Sequence, residues 1–145
     1  MSIDRERVFG KLGMIQRALN NLVELSKIAK EEFLSDFKYY DSAKYNLQVA
    51  IEAMIDVGNH IISRLGYESP KTYADTFEIL SKHGILPQGK VGNFKLMAKF
   101  RNRIVHFYDD LSEEEVYRIL LHNLDDFRDF LKDISSFLER TNEDN

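Results

Sequence analysis

The sequence predicts an all-α protein: an up-and-down bundle of four substantial helices plus one short helix. Three observations carry this prediction. Apolar residues recur at helical spacing through every long segment, and no period-two alternation marks a strand. Glycine and proline are scarce, seven and two in 145 residues, and they gather between the periodic segments. The balance of 43% hydrophobic and 30% charged residues is that of a soluble globular domain with one core.

The first helix is predicted from about Asp4 to Phe33, on the stripe Val8, Leu12, Ile15, Leu19, Leu22, Ala29 and Phe33. Ser35 and Asp36 supply N-cap chemistry for a second long helix, because their side-chain oxygens can accept from the first orphan N–H groups. Its inner face reads Tyr40, Ala43, Leu47, Ala50, Met54, Val57 and Ile61, and Gly66 closes it. Thr72 caps a short third helix carrying Phe77 and Leu80, which ends at His83–Gly84. Pro87, Gly89 and Gly92 mark the next loop. A fourth helix starts near Val91–Asn93, carries Phe94, Met97, Ala98, Ile104 and Val105, and breaks at Asp109 and Asp110. Ser112 and Glu115 form a capping box for the last helix, with Val116, Ile119, Leu120, Leu124, Phe127, Leu131, Ile134, Phe137 and Leu138 on its apolar stripe. Residues 1–140 are expected to be a single domain and 141–145 a frayed polar tail.

Bulk properties exclude several function classes. No apolar run approaches the ~20 residues that span a bilayer, and the charged start Met1–Arg7 has no secretory h-region. A cytoplasmic location is expected. The absence of cysteine excludes disulfides, thiolate nucleophiles and cysteine-based zinc sites. The net charge of −4 means that any nucleic-acid site must be a local basic patch. No His/Asp/Glu set has the spacing of a metal site, so neither metal nor cofactor is expected.

The segment Arg101-Asn102-Arg103-Ile104-Val105-His106-Phe107-Tyr108 is the most informative. A guanidinium clamps a phosphate with a fork of donors, and an imidazole moves protons near neutral pH. Together they are a minimal kit for cleaving RNA without a metal. A bare Arg-x4-His is weak by itself, since ordinary residue frequencies produce one in roughly a tenth of chains this long. At about 100° per residue, Asn102 and His106 share a helix face, and Arg101 can swing its long side chain toward them. Tyr108 lies roughly 200° from His106 on an unbroken helix, so it approaches only if the helix loosens near Phe107–Asp110. Spacing alone does not separate this reading from a helix C-terminus with a dipole-compensating His106 and a solvated Arg101. Two observations favour function. Lys95, Lys99, Arg101 and Arg103 form a basic run in an acidic protein, although such a run is ordinarily a solvated helix face. A polar set on a core-facing helix also carries a desolvation cost unless it lines a cleft.

The other histidines read as structural. His60 is expected to pair with Asp56 one turn earlier, His83 to end a helix and His122 to lie on a helix surface. Gly58 inside a helix costs about 1 kcal/mol and points to close approach by another helix or to an interface.

Arg101-Asn102-x-x-x-His106-x-Tyr108 resembles the signature of the HEPN superfamily in its HepT-like toxin branch. The resemblance covers nearly the whole chain. Ala43–Ile62, with Ala50–His60, is similar to that branch's second helix, and Pro70–Phe77 with Leu80 and Gly84–Leu86 to its connecting segment. It implies a homodimer of helical bundles whose two motif helices meet in a cleft, and metal-independent RNA cleavage. It also implies a cognate minimal nucleotidyltransferase antitoxin that adds AMP to Tyr108. On this reading Arg101 and His106 are catalytic, Asn102 supports them, and Lys95, Lys99 and Arg103 are candidates for RNA binding. The alternative is a non-catalytic nucleotide- or substrate-binding subunit partnering such a nucleotidyltransferase.

Overall fold

The computed structural model describes residues 2–106 and 111–143, and all regular structure among them is helical. Seven α-helices follow in order: α1 (Arg5–Ser26), α2 (Lys30–Ser35), α3 (Phe37–Leu65), α4 (Tyr73–Lys82), α5 (Val91–Val105), α6 (Glu113–His122) and α7 (Asp125–Glu143). A 3₁₀ turn at Gln88–Lys90 leads into α5. The fold class is the predicted one, but two predicted helices are each divided in two.

Both divisions fall where the apolar spacing runs on unbroken. α1 stops at Ser26, whose hydroxyl donates to the Val23 carbonyl (2.6 Å) and so competes with the helical ladder. The Ile28 carbonyl, released from the helix, accepts from the Tyr117 hydroxyl of α6 (2.6 Å). Ala29 then takes extended geometry before α2, and Phe33 still reaches the core. At Asn123–Leu124 the chain makes one non-helical step, while Leu124 and Phe127 keep the buried stripe of α6 going into α7. A periodicity of apolar residues cannot see a break that preserves its phase.

The remaining boundaries follow the local chemistry. Asp36 caps α3 by accepting from the Lys38 N–H (2.9 Å). Gly66 closes that helix at φ +71°, where a Cβ would be strained. Thr72 and Asp75 form a reciprocal capping box on α4. Ser112 caps α6 by accepting from the Glu115 N–H (3.1 Å). α5 ends at Val105, earlier than Asp109–Asp110, with His106 as an extended C-cap (φ −92°, ψ 92°). The β-branched pair Ile104–Val105 weakens the last turn. α7 continues past residue 140, where the Thr141 hydroxyl donates to the Phe137 carbonyl (2.9 Å).

α1 and α3 run antiparallel, as three polar contacts record: Asp4 with His60, Lys11 with Asp56, and Asn21 with Asn46. His60 is therefore not paired with Asp56, which faces Lys11 at 3.0 Å. α4 and α5 are antiparallel too, as Tyr73 with Arg101 and Phe77 with Phe94 record, and Lys95–Glu78 joins them. Phe77, Phe94 and Phe130 form an aromatic cluster with centroids 5.6–6.2 Å apart, joining α4, α5 and α7. Gly58 lets α4 side chains come close against α3. A Cβ there would lie 2.5 Å from Thr76 Cγ2 and 3.0 Å from Leu80 Cδ1. The close contact expected of Gly58 is thus made within the bundle.

His60 is 8% exposed, and its Nε2 accepts from the Asp4 N–H at 3.0 Å, which requires a neutral ring. Burial, with Arg64 and Arg7 nearby, lowers its pKa below the ordinary 6.5. The unfolded chain therefore takes up this proton at a higher pH than the native one. The stabilisation is complete above the ordinary value and lost as pH falls through the lowered one. From about pH 7.5 to about pH 5.5, the urea midpoint of the wild type should fall relative to His60→Gln, whose carboxamide oxygen accepts without titrating. Parallel midpoints would rule this out.

Candidate active site

Arg101 sits on the last turns of α5, where the helix faces α3 and the start of α4. Its Nε and Nη2 both donate to Glu52 Oε1, at 2.9 and 2.8 Å. Its Nη1 donates to Asn102 Oδ1 at 3.3 Å. The guanidinium carbon lies 5.0 Å from the centre of the Tyr73 ring. Glu52 is itself held by Gln48, whose Nε2 donates to Oε1 at 3.2 Å. A guanidinium carries five N–H donors in a fixed plane. Three are used in these contacts, and one on each terminal nitrogen remains. The two remaining donors are left for phosphate oxygens.

The structure thus brings Arg101 and Asn102 together, and both line cavities rather than core. One cavity, of about 330 Å³, is lined by Glu52, Ile55, Asp56, Asn59, Tyr73 and Arg101. A second, of about 450 Å³, lies beside it and shares Asn59 and Tyr73, with Asn102 on its wall. His106 is exposed at the end of the helix, one turn beyond Asn102, and its N–H donates to the Asn102 carbonyl (3.1 Å). Tyr108, the expected AMP acceptor, lies outside the described residues.

The basic run does not form one open patch. Lys95 pairs with Glu78 (3.0 Å), Arg101 with Glu52, and Arg103 with Glu115 (2.8 Å). Lys99 is exposed and forms no ion pair with a described residue. Lys99 and Arg103 line a separate groove of about 340 Å³, with Leu96, Phe100 and Ile119, between α5 and the α6–α7 junction. The Arg103–Glu115 pair ties the end of α5 to the start of α6. It holds the Glu115 carboxyl below its usual range, chiefly through the Arg103 hydrogen bond, and the Ser112 N–H adds to this. The Tyr40 hydroxyl donates to the Leu111 carbonyl, which anchors the entry to α6 on α3. Among the described residues, no three His, Asp or Glu side chains gather where they could hold a metal ion.

Sequence spacing missed Glu52, Tyr73 and Asn59, because each lies far from the motif along the chain. One signal was present. From Tyr45 to Ser63 the only acidic or basic residues, histidine aside, are Glu52 and Asp56. An isolated carboxylate in so apolar a helix requires a partner.

Residues 15–134 match the family model described as ribonuclease HepT-like. The chain belongs to the HepT-like ribonuclease family. Its similarity to family members extends over most of both chains. It is 31% identical over 124 residues to the mRNA nuclease HepT of Shewanella oneidensis, covering 86% of this chain and 92% of that one. It is 29% identical over 135 residues to the tRNA nuclease HepT of Aphanizomenon flos-aquae, covering 93% and 92%. A solved structure of the tri-AMPylated Shewanella oneidensis HEPN toxin in complex with the MNT antitoxin superposes with a TM-score of 0.84. It is 29% identical to this chain, covering 94% of it and 99% of the toxin. The resemblance to the HepT-like branch of the HEPN superfamily therefore holds. No helix among the described residues is long and apolar enough to cross a membrane.

Proposed function

We infer that this chain is a metal-independent endoribonuclease toxin of a toxin–antitoxin pair, using no cofactor and working in the cytoplasm. The observation that carries this reading is the Arg101 guanidinium. Glu52, Asn102 and Tyr73 fix its plane, and its two outward N–H groups lie on the helix that ends at His106. Family membership and the nuclease relatives support the same class of chemistry.

In this mechanism Arg101 binds the scissile phosphate and stabilises the charge that builds on its oxygens. His106 removes the proton of the RNA 2′-hydroxyl, whose oxygen attacks phosphorus. The P–O5′ bond breaks, a second imidazole returns a proton to O5′, and a 2′,3′-cyclic phosphate remains. A two-fold homodimer supplies that second His106 in a shared cleft. Asn102 keeps one guanidinium N–H engaged, so that Arg101 holds its orientation. Lys99, exposed on α5, guides the flanking strand, and Lys95 and Arg103 add less because each already faces a carboxylate. The partner is a minimal nucleotidyltransferase antitoxin that adds AMP to Tyr108. The AMPylated, antitoxin-bound state of the Shewanella relative supports this pairing.

The purified chain should cleave total RNA in EDTA. His106→Ala should lower the rate about 10²–10⁴-fold, the usual weight of a general acid or base. Arg101→Lys should fail as well, because an ammonium cannot reproduce a planar fork. Wild-type cleavage by His106→Ala would remove the assignment.

Glu52→Ala leaves the guanidinium without its carboxylate anchor. RNA turnover should then drop about 10- to 100-fold, the scale on which misplaced catalytic groups act, and Glu52→Asp should recover part of it. Turnover unchanged in Glu52→Ala would show that the anchor plays no part in cleavage.

AMP on Tyr108 would add phosphate charge beside Arg101 and His106, in place of the RNA. Incubation with the antitoxin, ATP and Mg²⁺ should add one or more AMP masses, mapped to Tyr108, and Tyr108→Phe should resist inactivation. AMP found on another tyrosine, or inactivation of Tyr108→Phe at the wild-type rate, defeats this mechanism.

A further inference from the structure

The groove beside Arg101 is built for more than a phosphate. Its walls include two half-buried carboxamides, Asn59 on α3 and Asn102 on α5, with Tyr73 between it and the guanidinium. Asn59 Oδ1 accepts from the buried Thr76 hydroxyl at 2.7 Å, and Asn102 Oδ1 accepts from Arg101 at 3.3 Å. Each side-chain carbonyl is thus engaged by one donor, which orients its carboxamide, and both amide N–H₂ groups are left as donors without an acceptor among the described residues. Lys71 stands exposed at the rim. The cavity, about 450 Å³, falls within the range of about 300–1,000 Å³ typical of small-molecule sites.

We propose that this groove is a base-reading subsite for the nucleotide next to the scissile phosphate. The proposal rests on the ribonuclease reading and adds a source of sequence preference to it. Single-stranded RNA is read on the exposed edges of splayed bases, with stacking against aromatic rings. The charged groups of this region serve phosphates: Arg101 at the scissile position and Lys71 at the rim for its neighbour. Two neutral donors between them match base acceptors. Tyr73, 40% exposed, gives the base an aromatic edge to pack on. A wall of donors favours a base edge made only of acceptors. Guanine offers O6 and N7, and cytosine offers O2 and N3. Adenine and uracil interrupt their acceptors with an N–H donor. The groove therefore selects guanine or cytosine at one of the two positions flanking the cleaved bond.

Asn59→Asp is the discriminating variant. It keeps the oxygen that accepts from Thr76, so the α3–α4 contact survives, and it replaces the donor with an acceptor. The measurement is kcat/KM on short single-stranded RNAs carrying each of the four bases at each flanking position. The wild type should prefer guanine or cytosine about tenfold at one position, and Asn59→Asp should lose that preference. A parallel test needs no variant. Replacing the preferred base with its deaza analogue, which lacks the ring-nitrogen acceptor, should slow the wild type several-fold at that position only. Absence of base preference in the wild type overturns the proposal. So does a preference that survives either Asn59→Asp or the deaza substitution. RNA left uncut by the wild type would instead overturn the ribonuclease reading on which the subsite rests. Loss of cleavage in His106→Ala, with base preference unaffected by Asn59→Asp, would retain that reading and remove the subsite.

Discussion

The close approach of α3 and α4 at Gly58 is the constraint on which the candidate site depends. With no Cβ at that position, Thr76 and Leu80 come down onto the backbone of α3, and the fully buried Thr76 donates its hydroxyl to Asn59. That contact fixes where α4 begins. Tyr73, one turn before Thr76, is thereby placed over Arg101. The aromatic cluster of Phe77, Phe94 and Phe130 sets α5 against the other side of α4. The guanidinium thus occupies a position defined by three helices, two of them locked together by a missing methyl group. The helix propensity given up at Gly58, about 1 kcal/mol, accompanies a contact that no other residue permits without displacing Thr76.

Within that frame the motif is held by charge and hydrogen bonding. An arginine side chain half-withdrawn from water needs partners that satisfy its donors without consuming all of them. Glu52 meets this condition because a single carboxylate oxygen receives both Nε and Nη2. A carboxylate bound across the two terminal nitrogens would instead have closed the fork to phosphate. On the same last turns of α5, Arg103 and Glu115 join the helices on either side of the motif's last residues, and Tyr40 secures Leu111.

The all-helical class, the caps at Asp36, Thr72 and Ser112, the glycine stop at Gly66 and the close contact at Gly58 were legible in the sequence, because each is written in neighbouring residues or in one residue type. The two helix breaks were not, since Leu25, Ala29 and Phe33 keep the spacing of α1, as Leu120, Leu124 and Phe127 keep that of α6. The interruption at Ser26–Ala29 is set by a tyrosine 89 residues away. His60 was given the wrong partner for a related reason. Asp56 is the obvious neighbour along the helix, but the antiparallel register delivers Lys11 to Asp56 and the start of α1 to His60. At the candidate site, spacing singled out Arg101 and Asn102, whereas Glu52 and Tyr73 are brought beside Arg101 by tertiary packing alone.

The pairing of cations along α5 bears on how such a molecule meets a polyanion. Lys95, Arg101 and Arg103 each already stand against a carboxylate, in a chain whose net charge is −4. On the proposed ribonuclease reading, few counterions are then released per chain when RNA arrives. With so few charges neutralised, the logarithm of affinity changes only gently with the logarithm of salt, by about −0.7 for each phosphate matched on a single strand. Discrimination among RNAs therefore falls to geometry and donor placement. Long-range attraction contributes little, and a toxin of this kind can pass most of the nucleic acid in a cell without being held by it.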